Sequence, residues 1–139
     1  MKKFIFGFIA ALALVALIYF GYPLIRGFQG DSGPVAPEQL NPDAKEFGEL
    51  KVGVFSGSQP LAGVEVDLGK IGPSGPVGAM SAVKTDSQGT ALFQKVPVGA
   101  YDIFWNLNAF PGGYSVPSNI PVEILKDKIT EKRVELIRQ

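Results

Sequence analysis

The chain contains neither cysteine nor histidine. Without cysteine there is no disulfide, no thiolate-ligated zinc and no thiol nucleophile, so a domain must hold itself together by its core alone. The missing histidine excludes more. It removes the commonest general acid/base, the usual partner of a nucleophilic serine and the commonest transition-metal ligand. Ser56, Ser58, Ser74, Ser81 and Ser87 have no imidazole to activate them, and no nucleophile is expected. Clustered positive charge is also lacking: 13 basic residues balance 13 acidic ones. Setting aside Lys2, Lys3 and Arg26 leaves 10 basic against 13 acidic, which offers nothing to a nucleic-acid backbone. No Asp-x-Asp-x-Asp-Gly run is present to gather the six to eight oxygens that calcium takes. Neither a metal nor any other cofactor is expected, and the chain reads as a non-enzyme.

What is present falls into three parts. Phe4 to Ile25 is uncharged, with Lys2-Lys3 before it and Arg26 after it. As a helix it would reach roughly 33 Å at about 1.5 Å per residue, enough for a hydrocarbon core near 30 Å. Residues 1–28 are therefore expected to be a single transmembrane anchor in contact with the lipid bilayer through residues 4–25. The basic end stays cytoplasmic and the rest of the chain lies outside the cytoplasm. A cleaved secretory signal, which would release the remainder as a secreted protein, is the alternative. The run is longer than a usual signal core and no Ala-x-Ala site follows it. Residues 29–48 carry Pro34, Pro37 and Pro42 and few aliphatic side chains, the composition of a semi-rigid spacer.

From residue 49 to 139 the period changes to two. Leu50, Val52 and Val54 alternate with Lys51 and Gly53, and Val64, Val66 and Leu68 alternate with Glu65 and Asp67. Each set predicts a strand with one buried face. Further strands are expected from about Ala79 to Thr85, through Ala91 and Phe93 to Val96, through Tyr101, Ile103 and Trp105, from Ile120 to Leu125, and from Thr130 to Ile137. Thr85-Asp86-Ser87-Gln88-Gly89 has the residue types of a tight hairpin turn. Seven short strands with frequent turns predict an all-β antiparallel sandwich, preceded by one transmembrane helix.

The order LKVGVFSGSQPLAGVEVDL, TDSQGTALF, VPVGAYDI, then VEI and VEL resembles the transthyretin-like (prealbumin-like, Ig-like) sandwiches, the family of carboxypeptidase regulatory-like domains and of the B-type repeats of collagen-binding surface adhesins. The resemblance covers Glu49 to Ile137. It rests on Pro60 to Val64, on the Thr-Asp-x-x-Gly hairpin and on the Pro-x-Gly-x-Tyr corner ending at Tyr101, all of them turn and core positions. It implies the fold, which hosts many roles. The lysine–asparagine isopeptide bond of some adhesin repeats is not implied, because TEKRVELI offers Lys51 no Asn or Asp. The histidine-dependent hydrolase of the family is excluded by the missing histidine.

Two loops stand out. Lys70 to Gly78 is Pro/Gly-rich and reads as a flexible connection. Leu107 to Asn119 places Phe110 and Tyr114 around Pro111-Gly112-Gly113, close to Trp105 and Asn106. Trp105, Asn106, Phe110 and Tyr114 are the candidate contacts for a ligand or partner: either an open aromatic platform for a sugar ring, or rings folded back to close the sandwich. Glu65 and Asp67 share an outward face and read as solvated acids; a carboxylate enzyme would need them in a concave site with separated pKa values. The function expected is a noncatalytic, membrane-anchored envelope module with a protein partner, or alternatively a glycan-binding one.

Overall fold

The computed structural model describes residues 34–139. The expected anchor and the start of the spacer lie outside the described residues. Among the described residues, no helix is long and apolar enough to cross a membrane.

Eight strands follow a short 3-10 turn at Pro37–Leu40: β1 (Phe47–Ser56), β2 (Gln59–Pro60), β3 (Glu65–Gly72), β4 (Gly75–Lys84), β5 (Thr90–Pro97), β6 (Gly99–Phe104), β7 (Ile120–Ile124) and β8 (Ile129–Glu135). They form two sheets. In the first, β1 pairs antiparallel with β5 and, at its far end, with β2, while β8 runs parallel to β1. The second has the order β4-β3-β6-β7 and is antiparallel throughout. The alternation seen in the sequence fills the space between them. Leu50, Val52 and Val54 from β1 meet Val66 and Leu68 from β3, Phe93 from β5 and Ile103 from β6, all fully buried.

Three features depart from the seven-stranded, wholly antiparallel expectation. The added strand, β2, is only two residues long, too short to show a period. It folds back so that Gln59 faces Ser56 and Pro60 faces Phe55. The parallel pair arises because the chain leaves the second sheet after β7 and crosses through Leu125–Lys128 to run alongside β1, from Glu49 opposite Ile129 to Phe55 opposite Glu135. No local residue pattern encodes that pairing. Finally, Lys70 to Gly78 is no flexible connection: β3 and β4 extend into it as a hairpin with Gly72 opposite Gly75 and Pro73-Ser74 at its tip. Its glycines, with Gly75 at φ 118°, make the turn possible and mask the strand period.

Residues 35–46 lie against the domain. The Val35 N–H donates to Met80 O of edge strand β4 at 2.7 Å, Leu40 packs on the core, and the Val98 N–H donates to Glu46 O at 3.0 Å. The 3-10 turn touches β4 and β5, so this segment covers one side of the sandwich where two sheet edges would stand open.

Candidate functional site

At the end of the sandwich that carries the loop after β6, Trp105 is 6% exposed and belongs to the core. Phe110 meets it edge-on, ring centroids 5.9 Å apart at 77°. Phe110 and Tyr114 are half-buried and pack against the same core. Tyr114 bridges to Arg138, the Ser115 N–H donates to Ile137 O and the Gln139 N–H donates to Gly113 O, so the loop is tied to the C-terminal residues. Asn106 is exposed: its Nδ2 donates to Glu65 Oε1 at 2.9 Å and its Oδ1 accepts from the Asn108 N–H at 3.1 Å, which starts the turn. The three rings do not lie together on one open face, as a stacking platform for a sugar requires. The Trp105 Nε1–H is buried without an acceptor among the described residues.

The outward face of the second sheet carries Glu65 and Asp67. Alternation gives their direction correctly, yet Asp67 is only 5% exposed, because its cross-strand neighbours are Phe104 on β6 and Ala82 on β4. Burial first, and the charge of Glu65 second, push its carboxyl up to about 6. The two acids are thus separated in character, but they sit on a strand face, and among the described residues no group of three acidic side chains converges on a metal-sized point. Ser81 and Lys84 match a Ser-x-x-Lys spacing that some acyl-transfer enzymes use. On strand β4 an odd separation sends them to opposite faces: Ser81 is buried and Lys84 exposed, so the spacing builds no nucleophile.

The outward face of the first sheet is shaped differently. Glu49, Lys51, Gly53 and Phe55 of β1 face away from the buried Leu50, Val52 and Val54. The Phe55 ring lies across Gly53, so that a Cβ there would meet its Cε2 at 2.8 Å. The Arg133 guanidinium covers the ring at 3.8 Å from its centroid, while Nη2 donates to Gly57 O at 3.1 Å and stands 3.8 Å from Glu135. Glu135 in turn accepts from the Gly57 N–H. Beside this stack is a depression of about 330 Å³ lined by Lys51, Gly53, Phe55, Thr90, Glu131, Lys132 and Arg133. A second, of about 390 Å³, lies at the start of β1 between Phe47, Glu49, Lys95, Asp127 and Ile129. Lys95 and Asp127 both have positive φ, 54° and 53°. Leu92 is 42% and Ile129 61% exposed. Neither depression is signalled by a motif; the clue available in the sequence is Gly53 between Lys51 and Phe55 on a strand.

No family model matches the sequence, and no curated protein matches it. Solved structures do. The TIE protein of Bacillus anthracis superposes with a TM-score of 0.55 and 18% identity over 67% of this chain and 17% of that one. A minor pilin of the gram-positive pathogen Streptococcus agalactiae gives 0.54 and 22% over 69% of this chain and 46% of that one. A DUF3823 family protein of Parabacteroides merdae gives 0.51 and 19% over 67% and 47%. The chain spans less than half of each of these proteins. The likeness is one of fold, and it agrees with a prealbumin-like, Ig-like sandwich.

Proposed function

We propose that the chain is a noncatalytic interaction module of the cell envelope, anchored by residues 4–25 with its sandwich outside the cytoplasm. The observation that carries this reading is the outward face of the first sheet, where a pinned Arg133–Phe55 stack and two depressions offer a shaped, mixed-charge surface without a reacting group. Aromatic and arginine side chains held in place are what protein interfaces use as anchors. The structural likeness to pilin subunits supports a structural or assembly role over a catalytic one. The uncharged run from Phe4 to Ile25 and its basic flank support the anchor and its orientation.

Protease treatment of intact spheroplasts, with a C-terminal tag and mass measurement of the product, tests the arrangement. A full-length chain whose domain is digested from outside fits it. A domain protected until lysis would overturn the outward placement, and a mature product lacking about thirty residues would make the apolar run a cleaved signal.

A further inference from the structure

We propose that the outward face of the second sheet, centred on Asp67, docks a basic side chain carried by a segment of a partner protein. This face lies on the other sheet from the Arg133–Phe55 stack, and the inference goes beyond the reading above. Registry fixes which residues share it. Glu65 and Asp67 on β3 stand opposite Lys84 and Ala82 on β4, while Phe104 on β6 stands opposite Asp67 and Asp102 opposite Gly69. Pro121 and Glu123 on β7 continue the face, opposite Asp102 and Ala100. The alternate residues Val66, Leu68, Tyr101, Ile103, Val122 and Ile124 all lie in the core. Lys70 follows Leu68 to the other side of its strand. The face therefore carries four acids, Glu65, Asp67, Asp102 and Glu123, against one cation, Lys84.

Asp67 distinguishes this face from an ordinary solvated row of acids. It is only 5% exposed, and among the described residues no hydrogen bond or ion pair reaches its carboxylate. The Asn106 amide is spent on Glu65, and Lys84 stands opposite Glu65, not Asp67. The Phe104 ring lies beside it across Gly69, where a Cβ would meet Cε1 of the ring at 3.4 Å and Met80 Cβ at 3.3 Å. Among the described residues Trp105 Nε1 is the only sealed side-chain polar atom without a partner, so the Asp67 oxygens keep contact with the surface. A desolvated carboxylate without a donor is an uncompensated cost. An ammonium or guanidinium brought against it supplies the missing donor and the opposite charge together. Nucleic acid and anionic lipid are repelled by the sign of the face. A divalent metal takes several converging ligands, and among the described residues no group of three acids provides them. The occupant that fits is a cation on a carbon stem, for which the half-buried Met80 and Ala82 offer apolar contact.

The test is calorimetric titration of the full chain in a nonionic detergent, at low salt and about pH 7.5. The probes are a capped hexalysine peptide, a capped hexaglutamate peptide and magnesium chloride. Hexalysine is expected to bind saturably, and hexaglutamate not to bind. Asp67→Asn weakens hexalysine binding by about tenfold, a change of about 1.4 kcal/mol. Asp102→Asn, on the same face, weakens it several-fold even if Asp67→Asn perturbs the strand. Asp43→Asn removes an equal charge from an exposed turn outside the sheets and leaves binding unchanged. Burial, and then the charge of Glu65, push the Asp67 carboxyl up to about 6, whereas Glu65, Asp102 and Lys84 around it are common to parent and Asp67→Asn. Lowering the pH to about 5 therefore weakens binding more in the parent than in that variant. Hexalysine binding that is unchanged in both face variants overturns the proposal. An equal loss in Asp43→Asn overturns it too, since net charge alone would then be at work, as does equal binding of hexaglutamate. Magnesium that binds more tightly than the peptide, and is lost in Asp67→Asn, would make this a metal site and overturn the peptide assignment. The spheroplast experiment reads topology and is untouched by any of these results.

Discussion

The Thr85 hydroxyl donates to the Leu61 carbonyl at 2.6 Å while accepting from the Val64 N–H at 2.9 Å. One buried side chain thus joins the turn that leads into β3 to the hairpin between β4 and β5. Backbone bonds from Gly63 N–H to Thr85 O and from Thr85 N–H to Val64 O complete the clamp. Thr85→Val keeps the shape and leaves both backbone groups without the hydroxyl, a loss of about 1–3 kcal/mol. Thr85→Ser should recover most of it. Urea denaturation of the three proteins gives the comparison.

Asp67 sets a pH dependence with a definite sign. Its folded pKa, about 6, lies above the ordinary aspartate value of 3.8, so the folded state binds the extra proton between these limits. The contribution is therefore most favourable below about pH 4 and declines as pH rises through about 6. Asp67→Asn removes the desolvated charge. It should raise stability at neutral pH by about 1–2 kcal/mol and flatten the melting-temperature profile between about pH 4 and 6. A variant that melts lower than the parent at neutral pH would contradict this.

Gly48 is required by close approach. A Cβ there would come within 2.3 Å of Leu125 O and 3.0 Å of Lys128 O, the turn through which the chain crosses between sheets. The Glu49 N–H to Lys128 O and Asp127 N–H to Phe47 O bonds hold that turn against β1. Gly48→Ala should cost about 2–4 kcal/mol by forcing the crossing outward. Gly112→Ala, with open space around it, should be nearly silent in the same thermal melts.

Trp105 is the only tryptophan and so reports directly on the loop end. Burial should give blue-shifted emission resistant to acrylamide quenching. Phe110→Ala removes its edge-on neighbour and should increase quenching with a loss of about 1–3 kcal/mol. Emission already red and freely quenched in the unmodified protein would mean the ring is exposed.

Much of the sandwich is legible in the sequence because its physics is local. The alternation through Leu50, Val52 and Val54 places them in the core, and the hairpin turn expected at Thr85 to Gly89 forms there, with Asp86 accepting from the Gln88 and Thr90 N–H groups at 2.8 and 2.9 Å. What escapes is what depends on distant partners. The outward direction of Asp67 follows from alternation, but its burial depends on Phe104, 37 residues on. The glycine-rich hairpin at Pro73-Ser74 hides its period, and the pairing of β8 with β1 joins residues 80 apart. Among the candidate contacts, the sequence separates Asn106 from the rings poorly: Asn106 is exposed, whereas Trp105 is core and Phe110 and Tyr114 lean on it. The Arg133–Phe55 stack needs that same long-range pairing, and no spacing rule announces it.

The parallel alignment of the first and last strands also decides how the fold meets tension. Because β1 and β8 run the same way, the chain enters at Phe47 and leaves at Glu135 from opposite ends of one ladder. A pull between those points acts along the strands and loads the registered pairs from Glu49–Ile129 to Phe55–Glu135 together, in shear, instead of unzipping them one by one. The rate of forced rupture is then set by that ladder as a whole. A domain tethered at its N-terminal side and gripped near its C-terminus would carry the load on β1, the strand whose Leu50, Val52 and Val54 are wholly enclosed.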